Sequence, residues 1–99
     1  MVQAVENLTQ LSGRILARKP HPTLGDYDVV TLQVDGVAAV EGKANLLAAR
    51  AGGPVEVTVR RALLGSAGKD ARLRCRAKMT PDGAMCETHP EPGDFEVSQ

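Results

Sequence analysis

Nine consecutive residues, ARLRCRAKM from Ala71 to Met79, decide the fold class. Small or apolar side chains alternate with basic ones along the whole stretch, which is the pattern of a strand whose two faces meet different surroundings. Residues 28–34 and 55–59 alternate in the same way, and both stretches are rich in β-branched valine. The chain is therefore predicted to be mainly β.

The other elements follow from turn and helix signals. The Asp35-Gly36 pair lies between apolar residues, and such a pair favours a two-residue hairpin because both turn positions need positive φ. Residues 43–51 are rich in alanine and leucine and precede Gly52, which predicts a short helix. Gly13 is expected to mark a bulge within its strand. The predicted strands are 11–18, 28–34, 37–40, 55–64, 71–79 and 84–89.

Five or six short strands in a chain of 99 residues favour a small barrel or a strongly curled sheet. One short helix stands between predicted strands three and four, and this order resembles that of the OB-fold, a five-stranded Greek-key barrel. The resemblance covers roughly residues 11–79 and rests on the order and length of the elements. It implies a single OB-like barrel at 11–89, with an N-terminal arm at 1–10 and an acidic C-terminal tail at 90–99. A curled antiparallel sheet with one helix packed on it is the alternative architecture.

The neutral total charge conceals a polarised chain. Residues 60–78 carry seven basic residues and one acidic residue, whereas residues 79–99 carry five acidic residues and no basic ones. Four basic side chains share one face of a predicted strand and form a candidate surface for nucleic-acid phosphates or an acidic protein, namely Arg72, Arg74, Arg76 and Lys78. In the alternative, the same face is neutralised internally, by Glu87 opposite Arg76 and by the acidic tail. Phe95 and Val97 would pin that tail to the core.

Two loops complete the candidate ligand site. The ligand face of an OB-like barrel is flanked by the loops after its first and fourth strands, so the resemblance implies that residues 19–27 and 65–70 border the site. The candidate ligand-binding residues in these loops are Lys19, His21, Tyr27, Ser66 and Lys69. With one tyrosine, one phenylalanine and no tryptophan, the chain is poorly equipped to stack the bases of single-stranded nucleic acid.

The two cysteines are predicted to be free and buried. In the hairpin around the predicted turn at 80–83, Cys75 and Cys86 occupy diagonal positions on the apolar face, where their separation is too large for an unstrained disulfide. Cys86 and His89 have a spacing found in zinc sites, but they would face opposite sides of a strand. No metal or cofactor is therefore predicted, and the sequence holds neither a phosphate-binding loop nor a dinucleotide fingerprint.

Catalysis is not expected. His21, Asp26 and Asp28 form an acid–base cluster in one loop, but no nucleophile with a matching base accompanies them. We therefore predict a non-catalytic binding module that engages an anionic partner, nucleic acid or an acidic protein surface, through the basic strand and the flanking loops. A structural or accessory protein that self-associates or assembles with a larger enzyme is the alternative. No segment has the pattern of a signal peptide or the length of a membrane span, and a cytoplasmic location is expected.

Overall fold

The computed structural model describes residues 7–45, 47, 52–81 and 83–99, and these residues form six strands and one short helix. In chain order the elements are β1 (Thr9–Pro20), β2 (Tyr27–Ala39), β3 (Pro54–Arg60), α1 (Arg61–Leu64), β4 (Arg72–Thr80), β5 (Gly83–Cys86) and β6 (Glu96–Ser98). The predicted strand at 71–79 thus corresponds to β4, and its alternation of buried and less buried residues is observed along most of its length.

The barrel closes through β1, which has a partner along each edge. β2 pairs with β1 along its whole length, and β4 pairs with the other edge of β1 from Thr9 to Arg14. The five strands form a closed ring in the order β1-β2-β3-β5-β4. Among the pairs of described strands, only β3 and β5 run parallel. This order, with α1 between β3 and β4, confirms the OB-like barrel that the resemblance implied.

The pairing of β1 with β2 is irregular at Gly13, where Asp35 of β2 has no partner on β1. The register of β1 against β2 shifts between Ser12 and Gly13, and again between Ile15 and Ala17. Gly13 is buried, and a Cβ atom built on it would lie 2.1 Å from the backbone oxygen of Gln33. Only glycine fits so close to another backbone. An irregularity thus occurs at the predicted residue, but the extra residue is Asp35 of β2, and the extra residue of β1 itself is Leu16.

The hairpin predicted at Asp35-Gly36 is wrong. β2 runs through this pair without interruption, and Gly36 lies opposite Ser12 of β1. Pairing with the long first strand keeps the segment extended, so a contact between residues far apart in sequence outweighs the local turn preference. The predicted strands 28–34 and 37–40 are therefore one strand, β2. As a result, the predicted fourth strand is the third strand of the structure, and the predicted fifth strand is the fourth.

The short helix between the third and fourth strands is confirmed, but it is formed by Arg61–Leu64. The sequence pattern assigned these residues to the end of the preceding strand. The chain turns there because the backbone N–H of Arg61 donates to the carbonyl oxygen of Asp26, 2.8 Å away. Of the helix predicted at 43–51, residues 46 and 48–51 lie outside the described residues, and residues 43–45 are not helical.

The inward-facing residues of the strands make the core. Fully buried aliphatic side chains fill it, including Leu11, Ile15, Val30, Leu32, Val57, Val59 and Leu73. Cys75 and Cys86 lie among them as free thiols, which confirms the prediction. A hydrogen bond to Cys86 and burial raise the pKa of the Cys75 thiol well above its usual value. Cys75 therefore stays protonated and packs as a small apolar residue.

The C-terminal tail returns to the barrel. β6 pairs antiparallel with the start of β4, on the edge that β5 occupies further along. Phe95 and Val97 pack against the core, which confirms that they pin the tail. The β4–β5 hairpin has the predicted register, with Met79 opposite Ala84.

Replacing Gly13 by alanine is expected to lower the free energy of unfolding by about 2 kcal/mol or more, because the new methyl group overlaps the Gln33 carbonyl. Gly25→Ala is the matched control, since a Cβ atom there meets nothing within 4 Å. Urea denaturation of both variants and of the wild type measures the difference. Equal unfolding midpoints for the two variants would show that β1 can pass Gln33 without a glycine.

Candidate functional site

Five strands each contribute one residue to a row across the outer surface of the barrel. Lys19 on β1 pairs with Val29 on β2, and Val29 pairs with Thr58 on β3. Thr58 in turn pairs with Met85 on β5, and Met85 pairs with Lys78 on β4. Since neighbouring strands lie about 4.8 Å apart, the two terminal lysines are separated by roughly 19 Å along the curved sheet. We call these five residues the lysine row.

Open clefts lie along the row. A cleft of 540 Å³ is bounded by Lys19, His21 and the turn between β4 and β5. A smaller one of 290 Å³ extends from His21 to Met85. A third, of 610 Å³, extends from Met85 past Lys78 to His89. Because neighbouring clefts share His21 or Met85, the row and its surroundings form one continuous surface.

The loop between β1 and β2 is shaped by His21. Its Nδ1 accepts hydrogen bonds from the backbone N–H groups of Thr23 at 3.1 Å and Leu24 at 3.0 Å. The backbone N–H of His21 donates to the carbonyl oxygen of Tyr27 at 3.0 Å and closes the loop. Nδ1 therefore acts as an acceptor, and the neutral ring carries its proton on Nε2. The imidazole is thus an internal support for the loop that borders the row.

Asp28 is buried between two arginines. Its carboxylate accepts hydrogen bonds from Nε of Arg18 at 2.7 Å and from Nε of Arg61 at 2.9 Å. Arg18 also donates to the carbonyl oxygens of Gly65 and Ala67, which fixes the segment after α1. Burial alone would raise the pKa of Asp28, but the hydrogen bonds and charges of Arg61 and Arg18 outweigh it and hold the pKa below its usual value of 3.8.

The residues of the suggested acid–base cluster have different roles in the structure. Asp28 is bound by Arg18 and Arg61, and Nδ1 of His21 is occupied by backbone N–H groups. Asp26 is exposed and contributes its backbone oxygen to the start of α1. The sequence did not predict either arginine at this site, because each is brought to Asp28 by strand pairing.

Four arginines on the outer face of β1 and β4 each have a carboxylate partner. The pairs are Arg14 with Asp70 at 3.2 Å, Arg72 with Asp35, Arg74 with Glu96 at 3.2 Å, and Arg76 with Asp94 at 3.4 Å. We call these four arginines the arginine surface. The hydrogen bonds from Arg72 hold the pKa of Asp35 below its usual value. Internal neutralisation thus holds for the arginines of the basic strand. The backbone N–H of Glu87 donates to the carbonyl oxygen of Arg76 at 3.0 Å, as the predicted register requires, but the carboxylate paired with Arg76 is that of Asp94.

Cations without a close carboxylate lie on the lysine row and beside it. Lys78 is exposed and has no ion pair within the described part of the chain. Arg60 follows Thr58 by two positions on β3, and its buried Nε has no hydrogen-bond partner among the described residues. Lys19 reaches Glu56 only at 3.7 Å, and both side chains are largely exposed. The sequence predicted Lys78 and Lys19 but not Arg60, although its alternation with Thr58 places it on the outer face.

Of the remaining predicted site residues, Tyr27 lies beside this surface, whereas Ser66 and Lys69 do not line its clefts. Tyr27 is half-buried and opposite Arg60 in the pairing of β2 with β3. Ser66 and Lys69 are exposed in the connection between α1 and β4. The segment that borders the clefts opposite the His21 loop is the β4–β5 turn around Thr80 and Gly83, not the 65–70 loop. The resemblance placed the site beside the loop after the fourth strand. Because two predicted strands form the single strand β2, the fourth strand of the structure is β4, and the loop after it is the β4–β5 turn.

Cys86 and His89, whose spacing is found in zinc sites, differ in burial. Cys86 is buried and His89 is exposed. Within the described ranges, no group of three or more His, Cys, Asp or Glu residues is placed to hold a metal ion. The same ranges contain no helix that is long and apolar enough to cross a membrane.

Asp28→Asn is expected to lower the free energy of unfolding by about 3 kcal/mol near neutral pH, because it leaves two guanidinium groups around a neutral amide. In the wild type this contribution is complete above the usual carboxyl pKa of 3.8, and it is lost as the pH falls through the lower pKa of folded Asp28. The variant should lack that part of the acid sensitivity. Urea denaturation over a series of acidic pH values measures both effects, with the exposed Asp26→Asn as the control. Wild-type stability of Asp28→Asn at neutral pH would contradict the role given to this carboxylate.

His21→Ala is expected to raise the hydrogen-exchange rates of the Thr23 and Leu24 amides roughly fivefold, since one hydrogen bond contributes about 1 kcal/mol. His21→Asn should keep most of the protection, because the Asn side-chain oxygen accepts hydrogen bonds from the same nearby amides in turns. Hydrogen exchange followed by NMR measures the rates. The same rates in the wild type and both variants would mean that the imidazole does not support the loop.

Comparison of the chain with protein-family models, with curated proteins and with solved structures found no match in any of the three. Strand order and register alone therefore support the OB-like fold.

Proposed function

We propose that this protein is a non-catalytic binding module that engages an anionic partner, nucleic acid or an acidic protein surface, on the lysine row and the loops beside it. The arginine surface and the lysine row differ in how their cations are paired, and this difference carries the proposal. The arginines of the arginine surface are each paired with a carboxylate. Lys78 and Arg60 have no ion pair among the described residues and lie on the other surface.

Unpaired cations on one surface favour the binding of a polyanion. Binding of phosphates releases condensed counterions, so each neutralised phosphate adds to the affinity. Arg60 adds a second positive charge beside Thr58 of the row, and it has no ion pair among the described residues. Lys19 can exchange its loose, exposed contact with Glu56 for a ligand at the opposite end of the row.

The scarcity of aromatic residues limits the kind of nucleic acid that fits. Phe95 packs against the core, so Tyr27 beside Arg60 is the one aromatic ring near the row. Continuous binding of a single strand relies on stacking of successive bases on several rings. The surface therefore suits the backbone of a duplex, or a series of carboxylates, better than a single strand.

Replacing Lys78 or Arg60 by glutamine is expected to weaken binding to a short DNA duplex and to reduce the slope of log K against log salt by about 0.9 for each charge removed. Lys69→Gln removes the same charge from an exposed residue outside the row and should leave the affinity nearly unchanged. Fluorescence anisotropy with duplex DNA, duplex RNA, single-stranded DNA and polyglutamate, each over a salt series, identifies the preferred anion.

Absence of salt-dependent binding to all four probes would overturn this function. Sedimentation of the purified protein would then test the alternative, and a stable dimer would favour a structural or accessory protein that assembles with itself. An equal effect of Lys69→Gln and Lys78→Gln would show that net charge, and not the lysine row, determines the affinity.

A further inference from the structure

The C-terminal segment 93–97 lies against the arginine surface as a complementary strand. Its side chains alternate, with Phe95 and Val97 packed against the core and with Asp94 and Glu96 in contact with arginines. β6 maintains this arrangement by antiparallel pairing with the start of β4. The segment therefore combines an apolar inner side with an anionic outer side.

Arg74 and Arg76 are the arginines that this segment covers. Nη1 of Arg74 donates to the carbonyl oxygen of Gly93 at 2.7 Å, and Nη2 donates to Glu96 at 3.2 Å. Arg76 contacts Asp94 at 3.4 Å, but its buried Nε has no hydrogen-bond partner within the described residues. The two carboxylates thus neutralise both arginines without satisfying all of their donors.

The two ion pairs of the segment differ in exposure. β6 is three residues long and the side chain of Glu96 is 70% exposed, whereas the side chain of Asp94 is 22% exposed. Exposed ion pairs contribute little to stability, and dissolved salt weakens them further. A stronger polyanion can therefore compete with the segment for Arg74 and Arg76.

We infer that Asp94 and Glu96 are an internal competitor, which occupies the arginine surface in place of the phosphates of a nucleic-acid duplex. The arginines alternate along β4, so consecutive ones are about 6.7 Å apart along the strand. Guanidinium groups bind phosphate oxygens in a bidentate manner. β4 contains no aromatic residue on which a base could stack, which favours a duplex over a single strand. This second surface goes beyond the function proposed for the lysine row.

Removal of the competing carboxylates should strengthen binding to duplex DNA. Asp94→Asn and Glu96→Gln retain Phe95 and Val97, so the segment keeps its apolar contacts while the arginines lose their partners. Each variant is expected to raise the affinity at low salt, because the duplex no longer has to displace a carboxylate from the arginine that it binds. Glu91→Gln is the matched control, because it removes the same charge from the exposed part of the same tail.

Displacement of the segment can also be followed in the unaltered protein. Saturation with duplex DNA is expected to lower the hydrogen-exchange protection of the β6 amides. Full protection of these amides in the saturated complex, or an effect of Glu91→Gln as large as that of Glu96→Gln, would overturn the inference. A gain of affinity for polyglutamate without a gain for duplex DNA would overturn the assignment of the partner as nucleic acid.

Different variants test the two surfaces. Weaker binding of Lys78→Gln and Arg60→Gln, with no change in Asp94→Asn and Glu96→Gln, would overturn the internal competitor alone. Stronger binding of the two tail variants, with no effect of Lys78→Gln or Arg60→Gln, would overturn the lysine row and support the competitor.

Discussion

The rest of the barrel depends on the passage of β1 between two partners at Gly13. β2 and β4 pair with opposite edges of β1, and the backbone of Gln33 approaches Gly13 so closely that no side chain fits between them. The pairing of β4 with β1 from Thr9 to Arg14 is what closes the ring. Closure also places Arg14 beside Arg72, so the arginine surface exists only because β1 reaches both neighbours.

Because of the same topology, β4 contributes residues to two surfaces of different charge, the arginine surface and the lysine row. Near its start, β4 lies between β1 and β6, and Arg74 there meets the carboxylate of Glu96. Towards its end, β4 pairs with β5, and Lys78 lies opposite Met85, beyond the range of the β6 pairing. The basic residues of β4 are therefore paired with carboxylates along the first part of the strand, whereas Lys78 near its end has no ion pair among the described residues.

Strands and turns that depend on residues close together in sequence could be predicted. Contacts between residues far apart in sequence could not. Alternation identified β4, and the turn after it gave the correct pairing of Met79 with Ala84. The Asp35-Gly36 turn was overridden by β1, whose residues lie more than twenty positions away. Asp28 is joined to Arg61 across 33 positions, and no local pattern in the sequence links two such residues. Arg60 was visible as a charge, but its lack of a partner depends on the whole fold.

Covalent attachment determines which anions can displace the acidic segment from the arginine surface. A short connection joins β5 to this segment, so the carboxylates are present at the arginines at an effective concentration on the order of millimolar or above. A single phosphate ion has to compete with that concentration at one arginine. A duplex that has displaced Asp94 already holds its next phosphates close to Arg74, which makes the second displacement intramolecular as well. High salt weakens the ion pairs of the segment as well as the binding of the duplex, but the covalent attachment of the segment does not depend on salt. If Asp94 and Glu96 are the inferred competitor, we therefore expect them to favour long, regular polyanions at moderate salt.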